Sequence, residues 1–397
     1  MSRIRVAHVT AVDTSLRYLL LNQMKSIQAE GYEVIGISSY GQDVIVLESE
    51  GIKHISVNIS RNINILKDLI TLWQLFFLFR RERFEIVHTH TPKPGLLGQI
   101  AAKLARVPVI VNTLHGFYFH DGMPSFKRSF YILLEKVAAS CSTYILSQNQ
   151  EDIRTALTEG ICAPEIIGHL GNGVDLVLFD PDRIKPETIH LKRAALNIPE
   201  DYYVVGFVGR LAAKRKGFMD FLLAAKQILA QRHDICFLII GSPDIGKPDS
   251  ITADAAAVLG IAESCYFVGH QPNSELPVYY KMMDLIVLPS EFEGIPRVIM
   301  EASAMGIPAV ATDVKGNREA VFSGRNGVLV PYNAPSVLAE AIGELLNDPS
   351  ELTRLSLQCR SIALEYFDER KVFEKILKSY QMLLKSANIF SESVCNN

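Results

Sequence analysis

The sequence predicts an α/β protein built from two doubly wound domains of similar size. Its 397 residues exceed the length of one typical domain. Patterns of buried strands alternate with patterns of helices, which is typical of parallel sheets covered by helices on both faces. The alternation pauses over residues 168–186, a segment rich in Gly, Asp and Pro, and then restarts. We therefore place the domain boundary between residues 171 and 172.

Composition excludes several classes of protein. A net charge of −3 with 21% charged residues argues against nucleic acid as the main partner. The amino terminus runs directly into a strand pattern without a signal-peptide architecture, so we expect a cytoplasmic protein. The longest apolar run, residues 69–79, is shorter than the ~20 residues that a membrane-spanning helix needs. The six cysteines form no CxxC pair and are expected to be reduced thiols.

The first domain, residues 1–171, is predicted from alternating apolar runs and amphipathic segments. Its strands are expected at residues 3–10, 33–38, 52–59, 85–90, 108–112 and 143–147. Its helices are expected at residues 14–30, 66–83, 95–106, 126–139 and 150–159.

The second domain, residues 172–367, repeats the alternation. Its strands are expected at residues 203–209, 235–241, 265–269, 285–288, about 309–311 and 327–330. Its helices are expected at residues 217–232, 274–281 and about 296–305. From residue 334 the chain is predicted to be helical nearly to 387, with breaks at 348–349 and 367–368.

The stretch PSEFEGIPRVIMEASAMGIPAVA, residues 289–311, predicts a loop, a short helix and a strand directly after a buried strand. We expect Pro296 at the first helical position, where its missing N–H is harmless. A helix that begins at the carboxyl end of a parallel strand offers its amide groups to an anion. Glu293 and Glu301 flank this turn with carboxylates suited to sugar hydroxyls, and Gly294 lets the backbone approach a ligand.

A basic loop follows the first strand of the second domain. Arg210 and Lys216 stand in the segment VGRLAAKRKG, where a phosphate group is expected in a doubly wound domain. Arg210 presents a planar fork to phosphate oxygens, and Lys216 presents a point charge. The alternative interpretation is an ordinary solvated loop. Neither GxGxxG nor a Walker lysine motif is present, which disfavours dinucleotide oxidoreductases and P-loop proteins.

These segments, together with FVGHQPNSELPVYYKMMDLIVLPS and the following EFEGIPRVIMEASAMGIPAVATDVKGNREAV, resemble the carboxyl half of retaining GT-B glycosyltransferases of family 4. HTHTPKPGLLGQIAAKLARVPVIVNTLHGF resembles the amino half of the branch that builds bacterial surface polysaccharides. The resemblance covers nearly the whole chain. It implies two Rossmann-like domains that face each other across a cleft, with a final helix, at about 368–387, that packs back on the first domain.

The resemblance also implies roles for individual residues. In relatives, the residue that matches Glu301 binds the ribose of the nucleotide, and those that match Arg210 and Lys216 hold the diphosphate. His115, in TLHGF, matches a histidine that approaches the sugar from the first domain. Contacts to the donor sugar are implied for a final group, Glu293, Gly294, Ile295 and Pro296. The alternatives are a surface helix acid for Glu301 and a histidine that pairs with loop backbone for His115.

Three features of the first domain concern the acceptor and metals. Many relatives have a glycine-rich loop after the first strand, whereas this chain has AHVTAVDTSLRYLL, so Thr14, Ser15 and Arg17 are candidate acceptor contacts. We expect no metal and no cofactor; His88 and His90 are the nearest approach to a metal-ligand pair. The apolar, base-flanked segment 67–83 is either a helix that rests on an anionic membrane surface or a core helix.

We therefore predict a metal-independent, retaining glycosyltransferase at the cytoplasmic face of the membrane. It would move a hexosyl or N-acetylhexosaminyl unit from a nucleotide-sugar, with UDP expected as the nucleotide, to a lipid-linked saccharide during polysaccharide assembly. Alternatives are a GT-B nucleotide-sugar 2-epimerase, a glycosyltransferase with a small soluble acceptor, and a two-domain sugar-binding protein.

Overall fold

A computed structural model describes residues 3–60, 64–120, 122–244 and 246–389 of the chain. By its internal contacts the chain divides into two compact units. The first unit comprises Met1–Gly171 together with Lys371–Asn397, and the second comprises Asn172–Arg370.

The first unit contains a parallel sheet of seven strands in the order β3-β2-β1-β4-β5-β6-β7. Its strands are rich in Val and Ile, and most of their residues are buried, as expected for a parallel sheet covered on both faces. The strand bounds are β1 Arg5–Val12, β2 Glu33–Ser39, β3 Lys53–Ser56, β4 Ile86–His90, β5 Val109–Leu114, β6 Tyr144–Ser147 and β7 Ile167–His169.

Helices α1–α7 connect these strands. The bounds are α1 Asp13–Ser15, α2 Leu21–Ala29, α3 Val44–Ser49, α4 Ile65–Glu82, α5 Pro92–Leu104, α6 Ser125–Cys141 and α7 Gln150–Thr158. Between α1 and α2 the chain forms a π-helix at Leu16–Leu20, so the single helix that we predicted over 14–30 is interrupted. Helix α5 packs against both α4 and α6, which places these three helices in one layer.

The second unit repeats the architecture with a six-stranded parallel sheet, ordered β10-β9-β8-β11-β12-β13. Its strands are β8 Tyr203–Val208, β9 Ile235–Ile240, β10 Cys265–Gly269, β11 Leu285–Leu288, β12 Ala309–Thr312 and β13 Gly327–Val330. Its helices are α8 Pro186–Ala195, α9 Phe218–Leu229, α10 Asp254–Val258, α11 Leu276–Lys281, α12 Arg297–Ala304, α13 Lys315–Ala320, α14 Pro335–Asn347 and α15 Pro349–Tyr366. The sequence patterns missed α3, α8, α10 and α13.

The last helix, α16 (Glu369–Ser386), belongs to the core of the first unit along most of its length. Its buried residues Val372, Ile376, Tyr380 and Leu384 recur every four positions and so form one apolar stripe. They pack with side chains of β1, β4 and α2. Among the described residues, the Tyr380 hydroxyl lies 2.6 Å from Nδ1 of His88, in the middle of β4.

Both sheets reverse their order of connection at one place, β1/β4 in the first unit and β8/β11 in the second. Ligands of doubly wound sheets bind outside the carboxyl ends of the strands at such switch points. The predicted site residues of the second unit follow β8 and β11, and therefore lie at its switch point.

Candidate functional site

The loops that follow β8 and β11 pack directly on each other. Gly217, at the end of the basic loop, has a φ of +65°, and a Cβ there would lie 1.9 Å from the carbonyl oxygen of Pro289. Only glycine permits this approach. The backbone N–H of Glu291 also donates to the carbonyl of Arg215 at 3.2 Å. The close contact brings Lys216 to the turn that carries Glu293.

Lys216 and Glu293 form an ion pair in which Nζ lies 2.5 Å from Oε1. The Ser290 hydroxyl donates to the same carboxylate oxygen at 2.7 Å. Both charged side chains are largely buried, with 20% and 13% of their surfaces exposed. The interpretation of the basic loop as solvated is therefore wrong for Lys216, since a charge at this depth is held by a defined partner. Ser290 was missed, although it directly precedes the turn.

Glu301 lies in the second turn of α12 and is only 5% exposed. Its Oε2 accepts a hydrogen bond of 2.9 Å from the Tyr280 hydroxyl, and its Oε1 lies 3.5 Å from Nε of Arg297. Burial and the nearby carboxylate raise the pKa of Tyr280 well above its usual value. The alternative of an exposed surface acid is wrong. Tyr280 and Arg297 were not identified from the sequence, although Arg297 stands four residues before Glu301, a spacing that pairs side chains on a helix.

Gly294, Ile295 and Pro296 form the turn that leads into α12. Pro296 is the N-cap, with φ −74° and ψ 112°, and the helix begins at Arg297. Our placement of Pro296 at the first helical position is thus wrong by one residue, because its extended ψ lies outside the helical range. A Cβ on Gly316 would lie 1.9 Å from the carbonyl oxygen of Gly294, so the start of α13 supports this turn.

Arg210 follows β8 and lies farther out. Its Nη1 lies 2.5 Å from Oδ2 of Asp244, and 46% of its side chain is exposed. The guanidinium has further N–H groups beyond the one that contacts Asp244. A phosphate could bind these groups without breaking the ion pair. Asp244 was not identified from the sequence.

The acceptor candidates lie at the start of the segment after β1. Thr14 is exposed, and its backbone N–H donates to Asp13 Oδ1 at 2.9 Å. Ser15 is half-buried. Arg17 is already paired, with Nη1 2.6 Å from Oδ1 of Asp43. The three share the first turns of a segment that becomes π-helical at Leu16–Leu20, a distortion often found at functional sites.

His115 follows β5, is itself half-buried, and ends a chain whose other imidazoles are buried. Its Nε2 lies 3.3 Å from Nδ1 of His90, and Nε2 of His90 lies 3.0 Å from Nδ1 of His8. A side-chain hydrogen bond also joins His115 to Gln148. Burial lowers the pKa of His115 to about 4 and that of His8 to about 3. These imidazoles are therefore neutral near pH 7.

His8, His88 and His90 could hold a metal ion, because they offer nitrogen atoms within 4.8 Å of one another. His8 was not paired with the other two in the sequence, although β1 and β4 place it opposite His88. Their nitrogens are nevertheless mostly engaged. Nδ1 and Nε2 of His88 lie 2.6 Å from the Tyr380 hydroxyl and 2.7 Å from that of Thr113. A divalent ion here would have to displace existing hydrogen bonds.

Helix α4 has one buried and one exposed side. Thr71, Leu75, Leu78 and Phe79 face the core. The opposite side exposes what we call the α4 stripe, formed by Leu66, Leu69, Ile70, Trp73 and Phe77. The core-helix alternative is therefore wrong for the side of α4 that carries the stripe, because these side chains are 49–75% exposed. Within the described part of the chain, no helix is long and apolar enough to cross a membrane.

Helix α6 also exposes apolar residues beside lysines, notably Phe126 and Leu133. It lies in the same layer as α4, separated from it by α5. Both helices combine basic and aromatic residues, and the structure places the exposed side of each on the outside of the first unit.

The chain forms two α/β units, and the second unit places the Lys216–Glu293 ion pair at the switch point of its sheet. Two family models match the chain: "Glycosyl transferases group 1" over residues 189–361 and "Glycosyl transferase 4-like" over residues 5–149. A D-inositol 3-phosphate glycosyltransferase of Catenulispora acidiphila is 31% identical over 76% of this chain and 73% of its own length. The chain belongs to the group 1 glycosyl transferases.

Two other relatives match nearly end to end. The UDP-Gal:alpha-D-GlcNAc-diphosphoundecaprenol alpha-1,3-galactosyltransferase of Escherichia coli is 29% identical over 96% of this chain and 97% of its own. The capsular polysaccharide biosynthesis glycosyltransferase CapM of Staphylococcus aureus is 28% identical over 98% and 99%.

Solved structures support the predicted fold. Anabaena HepE in complex with UDP-glucose has a TM-score of 0.80 at 20% identity, covering 96% of this chain and all of its own. A glycosyltransferase of Rickettsia africae has a TM-score of 0.79 at 20% identity, covering 97% and 100%. The prediction of the GT-B fold with two Rossmann-like domains is confirmed.

Proposed function

We propose that this protein transfers a hexosyl or N-acetylhexosaminyl unit from a UDP-sugar to a lipid-linked saccharide in the synthesis of a polysaccharide. The observation that carries the proposal is the switch-point site of the second unit, with its buried Glu301 and its Lys216–Glu293 pair. It stands in a chain that matches, over 96% of its length, a relative named for transfer from UDP-Gal to a diphosphoundecaprenol-linked GlcNAc.

We propose a role for each candidate site residue of the second unit. Glu301 accepts hydrogen bonds from the ribose hydroxyls, in line with its burial and its fixed orientation by Tyr280. Arg210 and Lys216 bind the diphosphate. Glu293 and the backbone of residues 294–296 contact the donor sugar.

We propose that the reaction needs no metal and retains the anomeric configuration. Cleavage of a glycosyl–phosphate bond builds negative charge on the diphosphate and positive charge on the sugar ring. Arg210, Lys216 and the amide groups that start α12 can stabilise the first charge without a metal. A carboxylate such as that of Glu293 can stabilise the second. The departing diphosphate oxygen can take the acceptor proton on the face that the leaving group occupied, which gives retention.

In the first unit, we propose that His115 contacts the sugar as a neutral imidazole and that Thr14, Ser15 and Arg17 contact the acceptor. The pairing of Arg17 with Asp43 leaves further guanidinium N–H groups for an acceptor oxygen.

We also propose that the α4 stripe rests on the cytoplasmic surface of a membrane. Lys67 lies at one end of α4, and Arg80, Arg81 and Arg83 lie at the other, all exposed. Exposed aromatic and aliphatic side chains flanked by bases suit an interface that contains anionic lipids. A lipid-linked acceptor would be presented at the same surface.

The rival function is a nucleotide-sugar 2-epimerase of the same fold. It requires an acid or base in the first unit, and the sequence offered no convincing carboxylate pair. Among the described residues, the carboxyl group of Glu135 lies near His115, because both residues line a narrow crevice in the first unit. The test below therefore distinguishes epimerisation from sugar transfer.

In the test, the purified protein is incubated with a synthetic lipid-diphosphate-linked GlcNAc as acceptor. Each reaction contains one donor: UDP-glucose, UDP-galactose, UDP-GlcNAc or UDP-GalNAc. We expect a lipid-linked disaccharide by mass spectrometry, an α-glycosidic bond by proton NMR, and unchanged turnover in EDTA. A β-linkage would overturn retention, and loss in EDTA that Mg²⁺ or Mn²⁺ restores would overturn metal independence. Conversion of UDP-GlcNAc to its 2-epimer without acceptor, and no transfer, would establish the rival.

A further inference from the structure

A narrow crevice lies beside His115 at the carboxyl ends of β4 and β5, within the first unit. Its volume is about 20 Å³, enough for one group the size of a water molecule. Thr91, Gln99, Asn112 and Glu135 line it together with His115.

Two amide side chains present hydrogen-bond donors there. Oδ1 of Asn112 accepts from the Thr89 hydroxyl at 2.9 Å, and Oε1 of Gln99 accepts from the Ser142 hydroxyl. With each carbonyl oxygen engaged, the NH₂ group of each amide is the part left for a further partner.

Glu135 supplies an acceptor. It is half-buried on α6, and within the described residues its carboxyl group forms no hydrogen bond or ion pair. Burial, and secondly the negative charge of Asp152, raise its pKa to about 7. A half-buried carboxyl group that has no protein partner can accept a hydrogen bond from a ligand that enters the crevice.

Thr91 adds a second sign of a functional site. Its φ of +67° is unusual for a β-branched residue, and such strain concentrates at binding sites. Its hydroxyl is buried and has no partner among the described residues. Thr91 is also the N-cap of α5, but Pro92 and Pro94 lack N–H groups. Few amide donors remain for an anion, and the Glu135 carboxyl group repels an anion whenever it is ionised.

We propose that this crevice binds one hydroxyl or hydroxymethyl group of the saccharide that His115 contacts. A hydroxyl both donates and accepts, so it can donate to the Glu135 carboxylate and accept from the Asn112 Nδ2–H. The inference rests on the proposed glycosyltransferase function and deepens it, because Glu135 and Asn112 become determinants of which sugar is used. Donor hexose and acceptor saccharide share this chemistry, and the experiment separates them.

The experiment compares wild type with Glu135→Gln and Asn112→Ala, and uses Glu165→Gln, an exposed glutamate of the same unit, as the matched control. Values of kcat/KM are measured with the intact UDP-sugar and lipid-linked GlcNAc, then with analogues that lack one hydroxyl on either the donor or the acceptor. Glu135→Gln is nearly isosteric, and circular dichroism with a thermal melt verifies that each variant is folded.

We expect one deoxy position to lower wild-type kcat/KM roughly 10- to 100-fold, the range of a hydrogen bond to a charged group. That penalty should shrink to about threefold or less in Glu135→Gln and Asn112→Ala and persist in Glu165→Gln. The substrate that carries the position identifies the source of the hydroxyl. If every deoxy penalty is the same in wild type and in Glu135→Gln, the inference is overturned even though transfer occurs.

If wild type transfers no sugar, the proposed function fails, and the crevice is tested by binding alone. Methyl glycosides of glucose, galactose and N-acetylglucosamine are then used in saturation-transfer NMR. Saturation of one of them that is lost in Glu135→Gln supports the inference. The absence of saturation in wild type, or saturation equal in both proteins, overturns it.

Discussion

At the scale of single residues, Glu301 of the proposed donor site is held by two neighbouring side chains. Its two carboxylate oxygens face Tyr280 and Arg297, which restrict its orientation before any ligand binds. We expect Glu301→Ala to weaken UDP binding at least tenfold, because hydrogen bonds from ribose to a carboxylate contribute roughly 1.5–3 kcal/mol. Isothermal titration calorimetry with UDP measures the loss.

Two further variants distinguish ligand binding from structural damage at this position. Glu301→Gln keeps the shape and an acceptor for Tyr280 but lacks the charge, and Tyr280→Phe keeps the charge but removes the orienting hydroxyl. We expect the Kd for UDP to rise in the order wild type, Tyr280→Phe, Glu301→Gln, Glu301→Ala. A Kd within twofold of wild type in Glu301→Ala would refute the ribose assignment.

The histidine chain makes a second prediction at this scale. Nε2 of His8 is buried and has no partner among the described residues. A buried N–H without an acceptor costs about 1–3 kcal/mol, and orphaned donors are rarer than orphaned acceptors. We therefore place the proton of His8 on Nδ1, where it donates to His90. His90 then donates from Nδ1 to Nε2 of His115, which leaves the His115 proton on Nδ1.

Nitrogen-15 NMR of the ten histidines tests this assignment. We expect a single Nδ1–H tautomer of His115 in wild type, and a mixture of tautomers in His90→Phe, because His115 loses its partner at Nε2. His54→Phe is the matched control, since His54 is a half-buried histidine of the same unit outside the chain. A wild-type His115 with its proton on Nε2 would contradict the prediction.

At the scale of elements, the α4 stripe is open to direct measurement because Trp73 is the one tryptophan of the chain. Its side chain is 51% exposed, so transfer into a lipid interface changes its surroundings. We expect a blue shift of fluorescence with vesicles that contain anionic phospholipid, a smaller one with phosphatidylcholine alone, and a decrease in added salt.

Vesicle flotation then compares two variants that each remove one exposed apolar side chain. Phe77→Ser alters the stripe, whereas Leu357→Ser alters α15 of the second unit, where the leucine is 73% exposed. We expect Phe77→Ser alone to reduce flotation, by roughly 3- to 30-fold for the loss of one interfacial aromatic side chain. Equal flotation of both variants would show that α4 does not make the contact.

At the scale of the whole molecule, alternating periodicity was sufficient to predict two parallel α/β domains, because strands buried on both faces read as apolar runs. Short helices such as α3 and α10 were not predicted, because five or six residues carry too little periodicity to identify a helix. The pairing of Lys216 with Glu293 could not be read from residues 77 positions apart. It depends on Gly217 packing against Pro289, a contact that exists only in three dimensions.

In the first unit, fewer of the candidate site residues could be predicted from the sequence. His115 was implied by a family motif, while Glu135 lies in the middle of a helix whose amphipathic pattern gives no reason to single it out. Only the arrangement of β5, α5 and α6 makes it line a crevice with His115 and Asn112. Likewise, the two histidines of β4 looked like an isolated pair until β1 placed His8 beside them.

Helix α16 stabilises the first unit, although the whole second unit separates it in sequence from the rest of that unit. The stability of this helix contact is the subject of the last prediction. Ile376 and Tyr380 of α16 are completely buried among residues of β1, β4 and α2. We expect Ile376→Ala to destabilise the first unit by roughly 2–5 kcal/mol through the cavity that it leaves. Met382→Ala, an exposed apolar position on the same helix, should change little. Differential scanning calorimetry of both variants, with and without UDP, measures the effect.

Ligand linkage identifies the unit that is affected. UDP binds the folded second unit in our proposal and so raises only the melting transition that contains it. Ile376→Ala should lower a transition that UDP leaves in place, and the Kd for UDP should stay within twofold of wild type because the donor-site residues belong to Asn172–Arg370. If a single transition moves with both UDP and Ile376→Ala, the two units unfold together, and the stability of the donor site then depends on the last helix of the chain.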